Sequence, residues 1–511
     1  MSKLDELRKL LTLNAAMKTS DIEARFAQIA KLLFNSFAIE HENSRYFFKE
    51  IEFYFYNQHH QDIITHPRSS KALRWYVNDF GGIDLNFESS ISTTHTIASR
   101  NKSREKYQLD EHSFFGGILI RKLQSEDCRV LDGPMACAKL FRCFDAASHN
   151  SGLPCLIERD NGNVAYICEP RVNILPDNKI PEEKVKSIIS SYAQPVDVDK
   201  LTNAFSSFKD KRYRYVRCEP ILHDSQTNEV YFSPWLNHAT EGHPEFYNRL
   251  KNMLHRLGIT TKELKCTNDY WVRDFMPIQL GTHEYFKYVY KPDYLVKTQE
   301  AKYITDCNNV IRGMGLNCRK TNLVIDGGNM VACGPYVVMT TKIFQENQAE
   351  YDKNPDEFIR KLESELGHPV IIIPWTMHGH FDAEETDKYG HSDGFIKWCG
   401  GNHILMGNHG DEYPQEAKEI RQTLEKYGFE VTEMRFNDKV ASPHPELNWA
   451  YINFLQVGQH IILPSFSIDE DGIAYKYVQD AFPDCEIHPI RTDEIVNEGG
   501  ALHCISWNIQ A

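Results

Sequence analysis

The chain has 511 residues, enough for two or three domains that each bury a core. With 41% hydrophobic and 25% charged residues it reads as an ordinary globular protein, and a formal charge of −14 argues against a general polyanion binder. No run approaches the roughly 18 apolar residues of a membrane span, and the amphipathic start Met1-Ser2-Lys3-Leu4-Asp5-Glu6-Leu7 lacks a signal-peptide core. Thirteen scattered cysteines without CxxC pairs signal neither a disulfide framework nor a metal centre, so reduced thiols and a cytoplasmic location are expected.

In chain order, residues 5–40 read as helical, with Leu7, Leu10, Leu11, Ile22, Phe26, Ile29, Leu32 and Leu33 at helical spacing. From 46 to 142 the pattern is strand-like, interrupted by a polar stretch at 89–106 that reads as a loop. Residues 173–211 are polar and carry Pro176, Pro181 and Pro195, with a helix expected over 182–192; they read as the close of a first domain and a linker. The run Arg212-Tyr213-Arg214-Tyr215-Val216-Arg217 reads as a solvated strand edge.

From 219 onward strands and helices alternate. Strands are expected at 230–235, 320–325, 336–341, 370–373, 449–456 and 460–464. Helices are expected at 245–257, 355–366 and 415–427, each closed by a glycine: Gly258, Gly367 and Gly428. The expected organisation is thus a mixed α+β domain over 1–210 and an α/β domain over 219–511. No internal repeat is visible.

The second region supplies a thiol, a histidine and two carboxylates in three glycine-punctuated segments. These are Asn268-Asp269-Tyr270-Trp271-Val272-Arg273-Asp274, Gly390-His391-Ser392-Asp393-Gly394 and Asn497-Glu498-Gly499-Gly500-Ala501-Leu502-His503-Cys504. This set suits attack on a guanidinium, whose central carbon is a poor electrophile because resonance spreads the charge. Asp274 and Asp393 can clamp the donor fork, Cys504 can add to the carbon, and His391 can carry protons. Trp271 offers an aromatic wall for the cation.

The same segments resemble the W-x-R-D-x-x-P, H-x-D-G and G-G-x-x-H-C motifs of the agmatine deiminase and bacterial peptidylarginine deiminase family, in order across residues 219–511. The resemblance implies a pentein fold, a five-bladed α/β propeller. It also implies hydrolysis of a guanidino group to a ureido product and ammonia through a covalent Cys504 intermediate, with no metal or organic cofactor. Asn453 resembles a family asparagine near the thiol, and Asp326-Gly327-Gly328-Asn329 resembles a family turn, so Asn453, Asp326 and Asn329 are expected to bind substrate. Agmatine-specific members usually have Glu at Asp326 and Gly at Met276, and a Gln-rich tail in place of Trp507-Asn508-Ile509. Agmatine, arginine and peptidyl arginine therefore stay open as substrates. A non-catalytic guanidinium binder would not need the thiol, and product stoichiometry separates an amidinotransferase or a double-ammonia-releasing hydrolase.

Residues 46–145 carry a weaker resemblance, to alkyladenine DNA glycosylases. It rests on Glu52-Phe53-Tyr54, Asp62 to His66, Leu119-Ile120-Arg121 and Gly133-Pro134 with Lys139-Leu140. It implies Glu52 as a water-activating base, with Tyr54 and His66 stacking on a flipped base. The acidic charge and scarcity of basic runs weigh against nucleic-acid binding, and the plain reading is a strand with an inward Glu among core aromatics.

Overall fold

The computed structural model describes residues 2–511 except 79, 99–101, 142–152, 176–180, 191, 193–196, 298–299, 376–389 and 437–443. Two compact units divide at the 218–219 junction, Met1–Cys218 and Glu219–Ala511. Among the described residues no helix is long and apolar enough to cross a membrane.

In the first unit the expected single helical region is two helices, Lys3–Leu10 and Thr19–Ser36, followed directly by the strand Phe37–His41. Ile22, Phe26, Ile29 and Leu33 bury one stripe of the longer helix. Phe26 stacks on Phe53 of the strand Ser44–Asn57 with ring centroids 4.6 Å apart. That strand is central to a ten-stranded, largely antiparallel sheet and pairs over ten residues with Phe115–Ser125. Two expectations fail here. The stretch read as a loop forms the hairpin Ser92–Ala98 with Lys102–Gln108, because β-branched Thr93, Thr94, Thr96 and Ile97 favour strand without an alternating apolar face. The run read as a solvated edge is an interior strand, Arg214–Arg217, paired on both sides. Arg214 donates to Glu50 at 3.1 Å and to the Pro170 carbonyl at 3.0 Å, so its charge serves the sheet.

Among its described residues the second unit holds five three-stranded sheets of one topology. In each, the middle strand pairs antiparallel with one neighbour and parallel with the other. Helices Pro244–Arg256, Pro355–Leu366, Pro414–Lys426 and Glu470–Ala481 connect the middle strand to the parallel one in four of them. The first three open on proline, which costs nothing where the N–H has no helical partner. Each buries one stripe, such as Phe246, Leu250 and Leu254, or Ala417, Ile420 and Leu424. The last strand of the chain, Trp507–Ile509, pairs antiparallel with Glu229–Phe232, so the C-terminus completes the sheet that the start of the unit began. The strand expected at 449–456 is instead a 3₁₀ turn, Trp449–Ile452, then a short strand, Leu455–Val457. Trp449 to Tyr451 pack as one tight turn, and Ala450, Tyr451 and Ile452 are fully buried.

Candidate active site

Six side chains of interest come from one recurring place, the turn that precedes the strand pairing antiparallel with the middle strand of each sheet. Asp274 lies in the short helix Val272–Phe275 before Ile278–Gly281. Asp326 caps the turn Gly327–Asn329 before Val331–Cys333. His391 and Asp393 lie at the turn Ser392–Gly394 before Ile396–Gly400. Asn453 precedes Leu455–Val457, and Cys504 precedes Trp507–Ile509.

Hydrogen bonds join these turns. The Cys504 Sγ lies 3.2 Å from Asn453 Oδ1 and 3.9 Å from Asp393 Oδ2. The Cys504 amide donates to Asn453 Oδ1 at 3.3 Å, and Asn453 Nδ2 donates to the Asp393 carbonyl at 3.2 Å. On the other side, the Arg273 amide donates to the Cys504 carbonyl at 3.0 Å, which ties the Asp274 turn to the thiol. Close packing fixes the register. A methyl group on Gly500 would fall 2.2 Å from the Trp271 ring, and one on Gly328 would fall 2.7 Å from His391 Nδ1 and 2.8 Å from Asp274 Oδ1. Both approaches require glycine.

The electrostatics are unusual for a thiol. Burial, then the Asp393 and Asp274 carboxylates, push Cys504 well above its ordinary range. In the empty site the neutral thiol is therefore the resting form. Burial also raises Asp274 to about 7; His391 opposes this, and Asp326 and Asp393 reinforce it. His391 sits between two carboxylates, with Nε2 3.0 Å from Asp326 Oδ2 and Nδ1 3.6 Å from Asp274 Oδ1. Burial alone would lower it, yet the Asp274 charge and the Asp326 bond raise it to about 9. His391 is thus an imidazolium at neutral pH. Asp393 is held below the usual carboxylate range: burial would raise it, but the His503 hydrogen bond, together with His503, His391 and Arg273 nearby, outweighs that.

Asp274, His391, Asp393, Asn453 and Cys504 are brought together and buried, and Trp271 is half-buried against Gly500. Two expected substrate-binding residues are placed otherwise. Asp326 is fully buried and shared by His391 and Lys342, whose Nζ lies 2.9 Å away, so it faces the histidine. Asn329 is fully buried and accepts from the amides of Thr340 (2.8 Å) and Ser392 (3.3 Å), so it anchors the His391 turn. The residues that depart from the agmatine-specific pattern are also interior. Met276 and Trp507 are buried, and Trp507 Nε1 donates to the Pro277 carbonyl at 2.8 Å.

Lys342 and His503 were not singled out from the sequence. Lys342 is a nearly fully buried cation, also 3.5 Å from Glu346. With it and His391 alongside, Asp326 stays below the carboxylate range although burial opposes ionisation. Only the exposure of a lysine reveals such a role, and sequence does not carry it. His503 Nδ1 lies 2.6 Å from Asp393 Oδ2. Burial, with Arg273 and Lys397 nearby, lowers His503 to about 4. It is a neutral imidazole whose Nδ1–H donates to Asp393. Its place beside Cys504 was the available signal.

In the first unit, Glu52 is fully buried with both oxygens engaged. Tyr54 Oη donates at 2.7 Å and Arg121 at 3.2 Å to Oε2, and the Val172 amide donates at 2.9 Å to Oε1. The Tyr54 ring is covered by the Arg171 guanidinium at 4.8 Å, and His66 packs edge-on to Phe80 at 5.0 Å. An accessible base at Glu52 with Tyr54 free to stack does not fit this packing, because the carboxylate and the ring face are already satisfied inside the sheet.

The model of the Porphyromonas-type peptidyl-arginine deiminase family matches residues 237–509. A putative agmatine deiminase of Lactococcus lactis subsp. lactis is 26% identical over 218 residues, 37% of this chain and 57% of the relative. An agmatine deiminase of Pseudomonas aeruginosa is 26% identical over 220 residues, with the same two shares. The chain thus spans less than two thirds of the length of these curated relatives. Among solved structures, a C. jejuni agmatine deiminase aligns at 18% identity and a TM-score of 0.44, over 57% of this chain and 96% of that one.

Proposed function

We propose that this chain, which belongs to the Porphyromonas-type peptidyl-arginine deiminase family, hydrolyses a guanidino group to a ureido product and ammonia. The observation that carries this reading is the buried thiol of Cys504, 3.9 Å from Asp393, on a framework that also presents Asp274 and His391. Two carboxylates flanking a thiol are a poor arrangement for making a thiolate alone. They are a good one for a cation that cancels their charge as it binds.

Asp274 and Asp393 hold the guanidinium fork, and Trp271 flanks it. As the cation arrives the thiol loses its proton to solvent, and the thiolate adds to the guanidinium carbon while its C=N π pair moves onto nitrogen. His391, already an imidazolium, gives its proton to one nitrogen, which leaves as ammonia. A cationic thiouronium on Cys504 remains. The neutral His391 then takes a proton from water as its oxygen bonds to the same carbon. The carbon–sulfur bond breaks as its electron pair leaves with sulfur, the hydroxyl proton of the adduct passes to that sulfur, and the neutral ureido product departs with the thiol restored. His503 holds Asp393 ionised and oriented, and Asp326, itself kept ionised by Lys342, does the same for His391.

The five equivalent sheets, closed by the C-terminal strand, support a five-bladed propeller with these turns at its centre, preceded by a separate α+β domain. Small or peptidyl guanidino compounds are the substrate class. The intermediate gives a direct test. Acid-quenched protein, mixed with a turned-over guanidino substrate, should carry the thiouronium mass on the peptide holding Cys504. A substrate that is turned over with no such adduct, on a timescale fast enough to catch it, would contradict the covalent route.

A further inference from the structure

Outside the catalytic turns, His460, Glu486 and His488 bring three ligand atoms together on one face of one sheet. The strands His460–Ser465 and Glu486–Arg491 run parallel, with His460 opposite Glu486 and Ile462 opposite His488. Alternate residues of a strand share a face, so all three side chains rise on the same side. The separations are 3.2 Å from His460 Nδ1 to His488 Nε2, 3.6 Å from His460 Nδ1 to Glu486 Oε2, and 3.7 Å from His488 Nε2 to Glu486 Oε2.

We infer that this triad is a binding site for a divalent cation of the zinc class. A point equidistant from the three atoms of that triangle lies about 2.0 Å from each, the distance zinc keeps to imidazole nitrogen and carboxylate oxygen. Two imidazoles and a carboxylate form the borderline donor set zinc prefers, and three protein ligands leave a fourth position for water. Without a cation, one ring must donate a proton to the other across the 3.2 Å contact. Binding needs lone pairs on both nitrogens, so that proton moves to the far nitrogen of its own ring, and no net proton is lost. The imidazoles are about three-quarters covered while Glu486 is exposed, which leaves the site pre-positioned and open to solution. A bound cation would clamp the two strands at the end of the sheet remote from Asn453, because His460 pairs with Val457, the last residue of the strand that Asn453 precedes.

Titration of the chelator-treated, fully reduced full-length chain with Co²⁺ tests this. The expected result is one saturable site with the ligand-field bands of nitrogen and oxygen donors and no thiolate charge-transfer band. His460→Ala and His488→Gln should each weaken it at least about tenfold, with unchanged circular dichroism. Zn²⁺ should compete for the site and raise Tm in the parent chain but not in the double variant. Absence of saturable binding, a thiolate charge-transfer band at the saturable site, or affinity unchanged by both substitutions would each overturn the assignment.

Discussion

At the scale of single residues, the central feature is a thiol kept neutral until a cation reaches it. Burial and two carboxylates raise Cys504 well above its ordinary range. Alkylation of the ligand-free protein at Cys504 should therefore be slow at pH 7 and still rising at pH 9. A plateau reached below pH 7 would show a pre-formed thiolate and contradict this picture. His503 and Lys342 act one layer behind. His503→Ala removes the donor that orients Asp393, and turnover should fall about 10- to 100-fold with the fold intact. Lys342→Met removes one of the two buried cations that hold Asp326 and should destabilise the unit by about 3–5 kcal/mol in urea unfolding. Turnover unchanged in the first variant, or stability unchanged in the second, would remove these roles. The grouping of Cys504, His391, Asp274 and Asp393 was legible in the sequence because the proposed nucleophile, acid and clamp call for those side-chain types beside turn glycines. Lys342 was not, because a lysine reads as surface until its burial is known. Asp326 was assigned to the substrate because its motif was visible while its partner, 65 positions away in His391, was not.

At the scale of elements, chemistry sits at turns that end in strands. The register of each turn is set by close backbone approach. Gly500 lies under the Trp271 ring, so Gly500→Ala must displace either the ring or the segment carrying Cys504. A shift near 1 Å at the thiol should cost on the order of 100-fold in turnover. Assay of that variant beside its melting temperature checks this; a stable variant at full rate would show that the packing does not position the thiol. Helices of the second unit were readable from apolar spacing and from proline and glycine punctuation, as at Pro355 and Gly367. The turn holding Asn453 was misread as strand because Trp449 to Ile452 are β-formers, and tertiary packing overrode their propensity. In the first unit the paired polar strands Ser92–Ala98 and Lys102–Gln108 were missed for the converse reason, since their sequence shows no alternating apolar pattern.

At the scale of the whole molecule, five sheets of one topology recur among the described residues of the second unit, yet its sequence conceals the recurrence. Four sheets have a helix of twelve or thirteen residues between middle and parallel strands, whereas the sheet containing Glu284–Val289 has, among the described residues, the short helices Asp293–Lys297 and Cys307–Val310 with the 3₁₀ turn Ala301–Tyr303 there. Shared geometry without shared side chains leaves no period to detect. The buried charges also set a pH window for stability. His391 is raised to about 9 from an ordinary value near 6.5, so its stabilisation is complete below about pH 6.5 and is lost as pH rises through 9. Asp326 is depressed, so its stabilisation is present above about pH 4 and is lost at lower pH. Melting temperature should thus decline from pH 7 to pH 10, less steeply in His391→Gln; identical slopes in the two proteins would contradict the assignment.

Ammonia release by the purified chain tests the central claim most directly, with agmatine, free arginine, an internal arginyl peptide and a C-terminal arginyl peptide offered in parallel and Cys504→Ala as control. The account predicts one ammonia per ureido product from at least one of these, abolished in the folded Cys504→Ala variant. Ammonia release that persists in that variant, or silence of the parent chain towards all four, would contradict it.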